Sequence, residues 1–367
     1  MTRYRLGPKG AAALSALAVT AVAFAIPTGG LRATAQGGGE DAHGVKALAG
    51  YSVSVFASAT KDYFGPDSII VNGKHVFVDY QNKTAKDCSD ATTKSSTVVE
   101  YTLDGDVVRA FSVPGHSDGM RMDSVTGNLW TLSCEDGNPQ LTVINVSSGT
   151  TTPYTFDSLL LKHGGGYDDI AFIGGKVYMT ASNPTLDSNG QNLFPAVEEV
   201  KLQGSKVVRV RDVLMGNASA TDLNTGKTVT LNEIDPDSLY VTPSGDLQVD
   251  NQGGTELVFI KNPGSTATPV SRLGIGNQQD DTIFPTAKSG QLLVSDTTDG
   301  KVYSIRSDNF VTTKYYSAAP SDSGVAGFVG TIDPTLAPPT GIVSPLVIGM
   351  VSPHGEAFIA GDGEGDG

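Results

Sequence analysis

The chain has 367 residues and carries 25 Lys and Arg against 39 Asp and Glu, a formal charge of −14. That balance disfavours nucleic acid and anionic membrane surfaces as partners, because their phosphates would be repelled, and it suits a divalent cation or a neutral small molecule. With 44 Gly, 19 Pro and 17% charged residues, the composition is poor in long-helix formers and rich in turn formers, and it points to many short strands.

The first segment is expected to lie outside the fold. Arg3, Arg5 and Lys9 precede an uncharged Ala-rich run over 11–26, and Ala33-Thr34-Ala35 offers a small-x-small cleavage site. This is the pattern of a secretory signal peptide over 1–35, followed by a flexible linker over 36–50. Cleavage removes four basic residues and no acidic ones, taking the charge from −14 to −18. The expected location is secreted or periplasmic, with no membrane insertion after cleavage. In an oxidising compartment Cys88 and Cys134 can pair, the alternative being two free thiols.

From residue 51 a unit recurs: an Asp, an apolar strand, a Gly turn, and a second apolar strand ending on Asp, Asn or Ser. Its copies open at Asp67, Asp118, Asp168, Asp237 and Asp281, at intervals of 51, 50, 69 and 44 residues. The long interval holds insertions near 186–193 and 216–230. Each copy is followed by two more strand candidates; for the fifth, Gly290 to Asp296 is the second strand, and 301–306 and 311–316 complete it. Four antiparallel strands per 45–50 residues are the signature of a β-propeller. Candidates at 328–333, 341–350 and 356–360, joined by 51–57 from the other end of the chain, make one further blade. The expectation is an all-β, six-bladed β-propeller over 51–360, closed by strands from both chain termini and followed by a disordered tail over 361–367. Two stacked β-sandwiches are the rival, and they would not predict a repeating Asp.

In a propeller the first strand of each blade lines a central channel. Asp67, Asp118, Asp168, Asp237 and Asp281 would then ring one mouth. Converging carboxylates raise one another's pKa. Either a hard cation sits among them, or each accepts backbone N–H bonds. Calcium is the first choice of ion and zinc the second. His116 and His163 each precede a channel strand and are the general-base or metal-ligand candidates, with His163 or Asp169, beside Asp168, as a proton shuttle. His354, in a Ser-Pro-His-Gly turn, is placed on the opposite face; if it opened a channel strand instead, three histidines could hold zinc. The chain has no G-x-S-x-G, P-loop, H-E-x-x-H or C-x-x-C motif.

The stretch 118–130, Asp-Gly-Met-Arg-Met-Asp-Ser-Val-Thr-Gly-Asn-Leu-Trp, resembles a segment of the SMP-30/gluconolactonase propellers, and 292–303 resembles an NHL-type strand pair. The first resemblance implies a six-bladed fold and makes Asp118 a ligand of a divalent metal. Phe64 stands where that family places a metal-binding Glu. Two functions follow as expectations: a secreted metal-assisted hydrolase of lactones or esters, or a non-catalytic propeller binding a small molecule or an exported protein at its channel mouth.

Overall fold

The computed structural model describes residues 44–265, 268–321 and 324–361. The expected signal peptide, and the tail beyond Gly361, lie outside the described residues. Within the expected linker, Lys46–Ala47 already pairs with Val343–Ile348. Among the described residues there is no α-helix, a 3-10 turn spans Leu160–His163, and no helix is long and apolar enough to cross a membrane.

The described residues are all-β, arranged in five sheets. Sheet A runs in sequence order through Pro66–Asn72, His75–Tyr80, Ser95–Thr102 and Val107–Pro114. Sheet B has eight strands in two antiparallel halves. The first half is Ser117–Asp123, Asn128–Ser133, Gln140–Asn145 and Thr151–Phe156; the second is Gly166–Ile173, Lys176–Ser182, Pro195–Gln203 and Lys206–Met215. The two outermost strands join in parallel through Thr155 with Lys206 and Phe156 with Val207. Sheet C is Pro236–Val241, Leu247–Asn251, Glu256–Ile260 and Val270–Gly274, extended outward by Ser219–Asp222 and Thr228–Thr230.

The last two sheets interlace. Sheet D starts with Thr282–Ile283, but the chain then leaves it for Gly290–Asp296 and Lys301–Ser307, which belong to sheet E. It returns to complete sheet D with Tyr315–Ala319, Phe328–Ile332 and Val343–Ile348. It ends as the first strand of sheet E, Pro353–Ala360, whose outer edge is Ser52–Ser58. The fifth repeat copy expected from sequence is therefore corrected: Gly290–Asp296 pairs with Pro353–Ala360 and not with the strand after Asp281. Two channel strands compete for similar apolar partners here, and local spacing alone does not say which pairing wins.

Successive inner strands lie side by side, and Pro353–Ala360 packs against Pro66–Asn72. Such radial stacking of antiparallel sheets about a ring of inner strands is a β-propeller arrangement. A separate apolar cluster fills each gap between neighbouring units. Ile70, Phe77 and Val98 of sheet A meet Met120, Leu129 and Ile144 of sheet B, and Leu239, Val249 and Val258 of sheet C meet Ala171, Tyr178 and Val197. Second strands are covered on both faces. His75–Tyr80 is buried at every residue after the first, which is why these strands read as continuous apolar runs and not as alternating ones.

Cys88 and Cys134 form a disulfide with Cα atoms 5.3 Å apart. It ties the loop after the second strand of sheet A to the corresponding loop of sheet B. Gly115 is wedged against it: a Cβ there would lie 2.5 and 2.6 Å from the two sulfurs.

Candidate functional site

A shared irregularity builds the channel mouth. The register of the inner strand slips between Pro66 and Ile69, Ser117 and Met120, Tyr167 and Ile170, and Pro236 and Leu239. In Pro353–Ala360 it slips between the partners of Asp296 and Val294. A bulge leaves residues out of the ladder and re-aims their side chains. The residues so released are Asp67, Asp118, Asp168, Asp237 and, in the last strand, His354. In sheet D, Thr282 pairs with Ser317, so the equivalent residue is Asp280.

This corrects two readings. Asp281 lines the same cavity but sits one register step from the ring, and its Oδ2 accepts the Glu356 N–H at 2.7 Å. His354 is on the carboxylate face, not opposite. Its Nδ1 lies 2.8 Å from Ser352 O and 3.0 Å from Thr297 Oγ1, and its Nε2 is 3.6 Å from Asp280 Oδ2. Asp169 occupies the same second position as Asp281. Its carboxylate accepts from Leu239 N at 2.8 Å and Ile170 N at 2.7 Å and pairs with Arg121 at 2.5 Å. The expected backbone N–H bonds are made by Asp169 and Asp281 in the second position of the bulge, which stitch neighbouring inner strands together, while Asp67, Asp118, Asp168, Asp237 and Asp280 in the first position line the cavity.

The cavity among these groups has a volume of about 10 Å³, about the space one water-sized sphere needs. Burial, then the neighbouring Asp67, pushes the Asp118 carboxyl up to about 7. The Asp118 and Asp67 carboxyls hydrogen-bond each other, and burial raises both. Burial and adjacent carboxylates hold Asp168, Asp237 and Asp280 well above the usual range.

Two residues of the candidate site escaped the sequence reading because they belong to no repeat. Glu135, beside Cys134, is buried at the rim, and burial followed by Asp118 pushes its carboxyl up to about 7. Lys86 places its Nζ 2.5 Å from Glu135 Oε1. The signal that was available is the disulfide, since pairing Cys88 with Cys134 brings their sequence neighbours to the same mouth.

His116 joins them. Its Nδ1 is 3.0 Å from Thr84 O and 3.1 Å from Thr84 Oγ1, while the buried Nε2 has no hydrogen-bond partner. Each of His116, Asp118 and Glu135 offers a ligand atom within 4.8 Å of the others, and so do Glu135, Asp168 and Asp237. Asp168 Oδ2 is also buried without a partner. An imidazole held through Nδ1 by a carbonyl, with Nε2 free beside converging carboxylates, is a set of donors that could hold a metal ion. His163 does not reach it. Its ring nitrogens lie 2.7 Å from Leu160 O and 2.9 Å from Gly166 O, so it secures the 3-10 turn, and burial holds its pKa below the usual histidine value.

The raised carboxyls set a pH dependence. The folded protein keeps protons that the unfolded chain releases near pH 4, so this stability is full below that range and is lost as pH rises through about 7. Chelated protein is expected to melt a few degrees higher at pH 5 than at pH 8, by differential scanning fluorimetry. An unchanged or higher melting point at pH 8 would contradict these shifts.

Compared with protein families and with curated proteins, the chain matches none. Among solved structures it is similar to a streptogramin B lyase at 14% identity and TM-score 0.41, covering 75% of this chain and 96% of that one. It is also similar to a luciferin-regenerating enzyme at 12% identity and TM-score 0.36, covering 66% and 76%. A third is the RS223 β-xylosidase at 11% identity and TM-score 0.37, covering 78% and 91%.

Proposed function

We propose that the protein is an exported six-bladed propeller whose channel mouth binds a divalent cation. Each half of sheet B counts as one blade, and strands from both ends of the described chain complete sheet E. The observation that carries the cation reading is Glu135, common to two ligand groups that also hold the unpartnered His116 Nε2 and Asp168 Oδ2. His116 would supply nitrogen, and Asp118, Glu135, Asp168 and Asp237 would supply oxygen. A nitrogen donor favours zinc or manganese over calcium, which takes oxygen ligands. The Cys88–Cys134 disulfide supports export, and the acidic mouth suits a small molecule or an exported protein recruited through the cation.

A lactone or ester hydrolase related to the SMP-30/gluconolactonase propellers is the second reading, favoured by the free Nε2 of His116 beside the carboxylates. A bound cation would polarise a carbonyl. The chain's own part would be to orient the substrate at the mouth and, with the ion held by the carboxylates alone, to take a proton at His116 Nε2, which in this reading is not a ligand. His163 and Asp169 are not assigned that role, since their hydrogen bonds are already committed.

The test is isothermal titration of metal-stripped protein with zinc(II), manganese(II) and calcium(II), with Glu135→Gln alongside. Saturable binding near one equivalent that Glu135→Gln weakens at least tenfold is the expected result. Binding that Glu135→Gln leaves unchanged, or none for any ion, would remove the reading. Lactone turnover abolished by chelation would select the second reading.

A further inference from the structure

Lys86 is out of place in a cluster built to hold a cation. Arg121, the other positive side chain paired with these carboxylates, is committed to Asp169 and Leu239 O. Lys86 instead lies on Glu135 Oε1, a carboxylate shared by both ligand groups, and its field also reaches Asp118 and Asp168. The lysine side chain is 59% exposed, whereas that of Glu135 is 7% exposed. The ammonium thus reaches in from solvent onto a buried acceptor.

The backbone under the pair is fixed. Asp136 N donates to Lys86 O at 3.1 Å, Asn138 Nδ2 donates to Asp87 O at 3.0 Å, and the disulfide joins Cys88 to Cys134. What can move is the flexible four-carbon stem of Lys86, which leaves a path back to water.

Resting on the cation reading above, we propose that Lys86 is a built-in counter-cation, which occupies Glu135 while the site is empty and must withdraw into solvent when a divalent ion binds. One ammonium leaves as the ion enters, so the lysine competes for the Glu135 lone pairs and repels the incoming charge. It sets the concentration at which the site fills and does not bind the ion. A surface ion pair without this role would change affinity little when removed.

The experiment titrates zinc(II) into full-length, metal-stripped wild type and into Lys86→Met, Lys86→Arg and Lys94→Met. Lys94 pairs with Asp90 in the same loop and controls for loss of one positive charge. Lys86→Met is expected to bind zinc(II) about tenfold tighter or more, as removal of a charge a few ångströms from the ion requires. Lys86→Arg should bind no tighter than wild type, and Lys94→Met should stay within about twofold of it.

A second readout needs no variant. Acetylation of wild type by an amine-reactive ester, mapped by mass spectrometry, should speed up at Lys86 when zinc(II) is added and stay constant at Lys94. If wild type binds zinc(II) but Lys86→Met is no tighter and Lys86 labelling is unchanged, the counter-cation role is overturned and the cation site stands. If neither wild type nor Lys86→Met binds, both readings fall.

Discussion

Asp118→Asn is expected to lower the melting temperature of the cation-loaded protein and to leave that of the chelated protein equal or higher. With the ion present the change removes a charged ligand, and a roughly hundredfold weaker affinity at saturating ion corresponds to about 2.7 kcal/mol of lost stabilisation. For a domain of this size that is about 5 °C. Without the ion, the asparagine amide can still hydrogen-bond to Asp67 as the Asp118 carboxyl does, and one source of repulsion disappears. The gain should be visible at pH 8, where Asp118 is ionised, and absent at pH 5, where it holds its proton. Four melts, with and without chelator for each protein, separate the outcomes. A fall of equal size in both conditions would make Asp118 a structural group only.

Removing the disulfide is expected to have the largest effect on stability. The bridged residues are 46 positions apart, and the chain-entropy model gives about 4 kcal/mol for closing such a loop. Urea unfolding of Cys88→Ser/Cys134→Ser should show that loss as a lower midpoint. The same variant should bind zinc(II) more weakly, because the bridge lies beside Glu135 and packs on Gly115, next to His116. A loss below about 1 kcal/mol, or an unchanged affinity, would show the two loops to be held in place by their hydrogen bonds alone.

The repeating Asp was legible because a bulge at the start of an inner strand makes the same demand in each copy. Asp67, Asp118, Asp168 and Asp237 follow that rule and line the cavity as expected. The rule blurred at Asp280-Asp281, where two adjacent acids fit the pattern and only the pairing of Thr282 with Ser317 decides between them. His354 was misplaced because its Pro-His-Gly context matches a surface turn, and its strand was recognised only from Glu356 onward. Glu135 and Lys86 carry no periodic signal. They are placed by a covalent bond between distant loops, which strand spacing does not encode. His163 shows the converse: a well-positioned histidine whose nitrogens are taken by the backbone of its own turn.

The interlacing of sheets D and E bears on how the number of units in the ring could change. Residues 66–114 form sheet A alone, so a contiguous segment could in principle be copied or deleted there with the remaining ladders intact. No such segment exists in the other two sheets. A segment holding all the sheet D strands from Thr282 to Ile348 also carries Gly290–Asp296 and Lys301–Ser307 of sheet E, and its loss would leave Ser52–Ser58 without its partner Lys301–Ser307. A whole unit therefore cannot be excised at this seam as one stretch of chain, whereas sheet A and each half of sheet B are each drawn from one contiguous stretch.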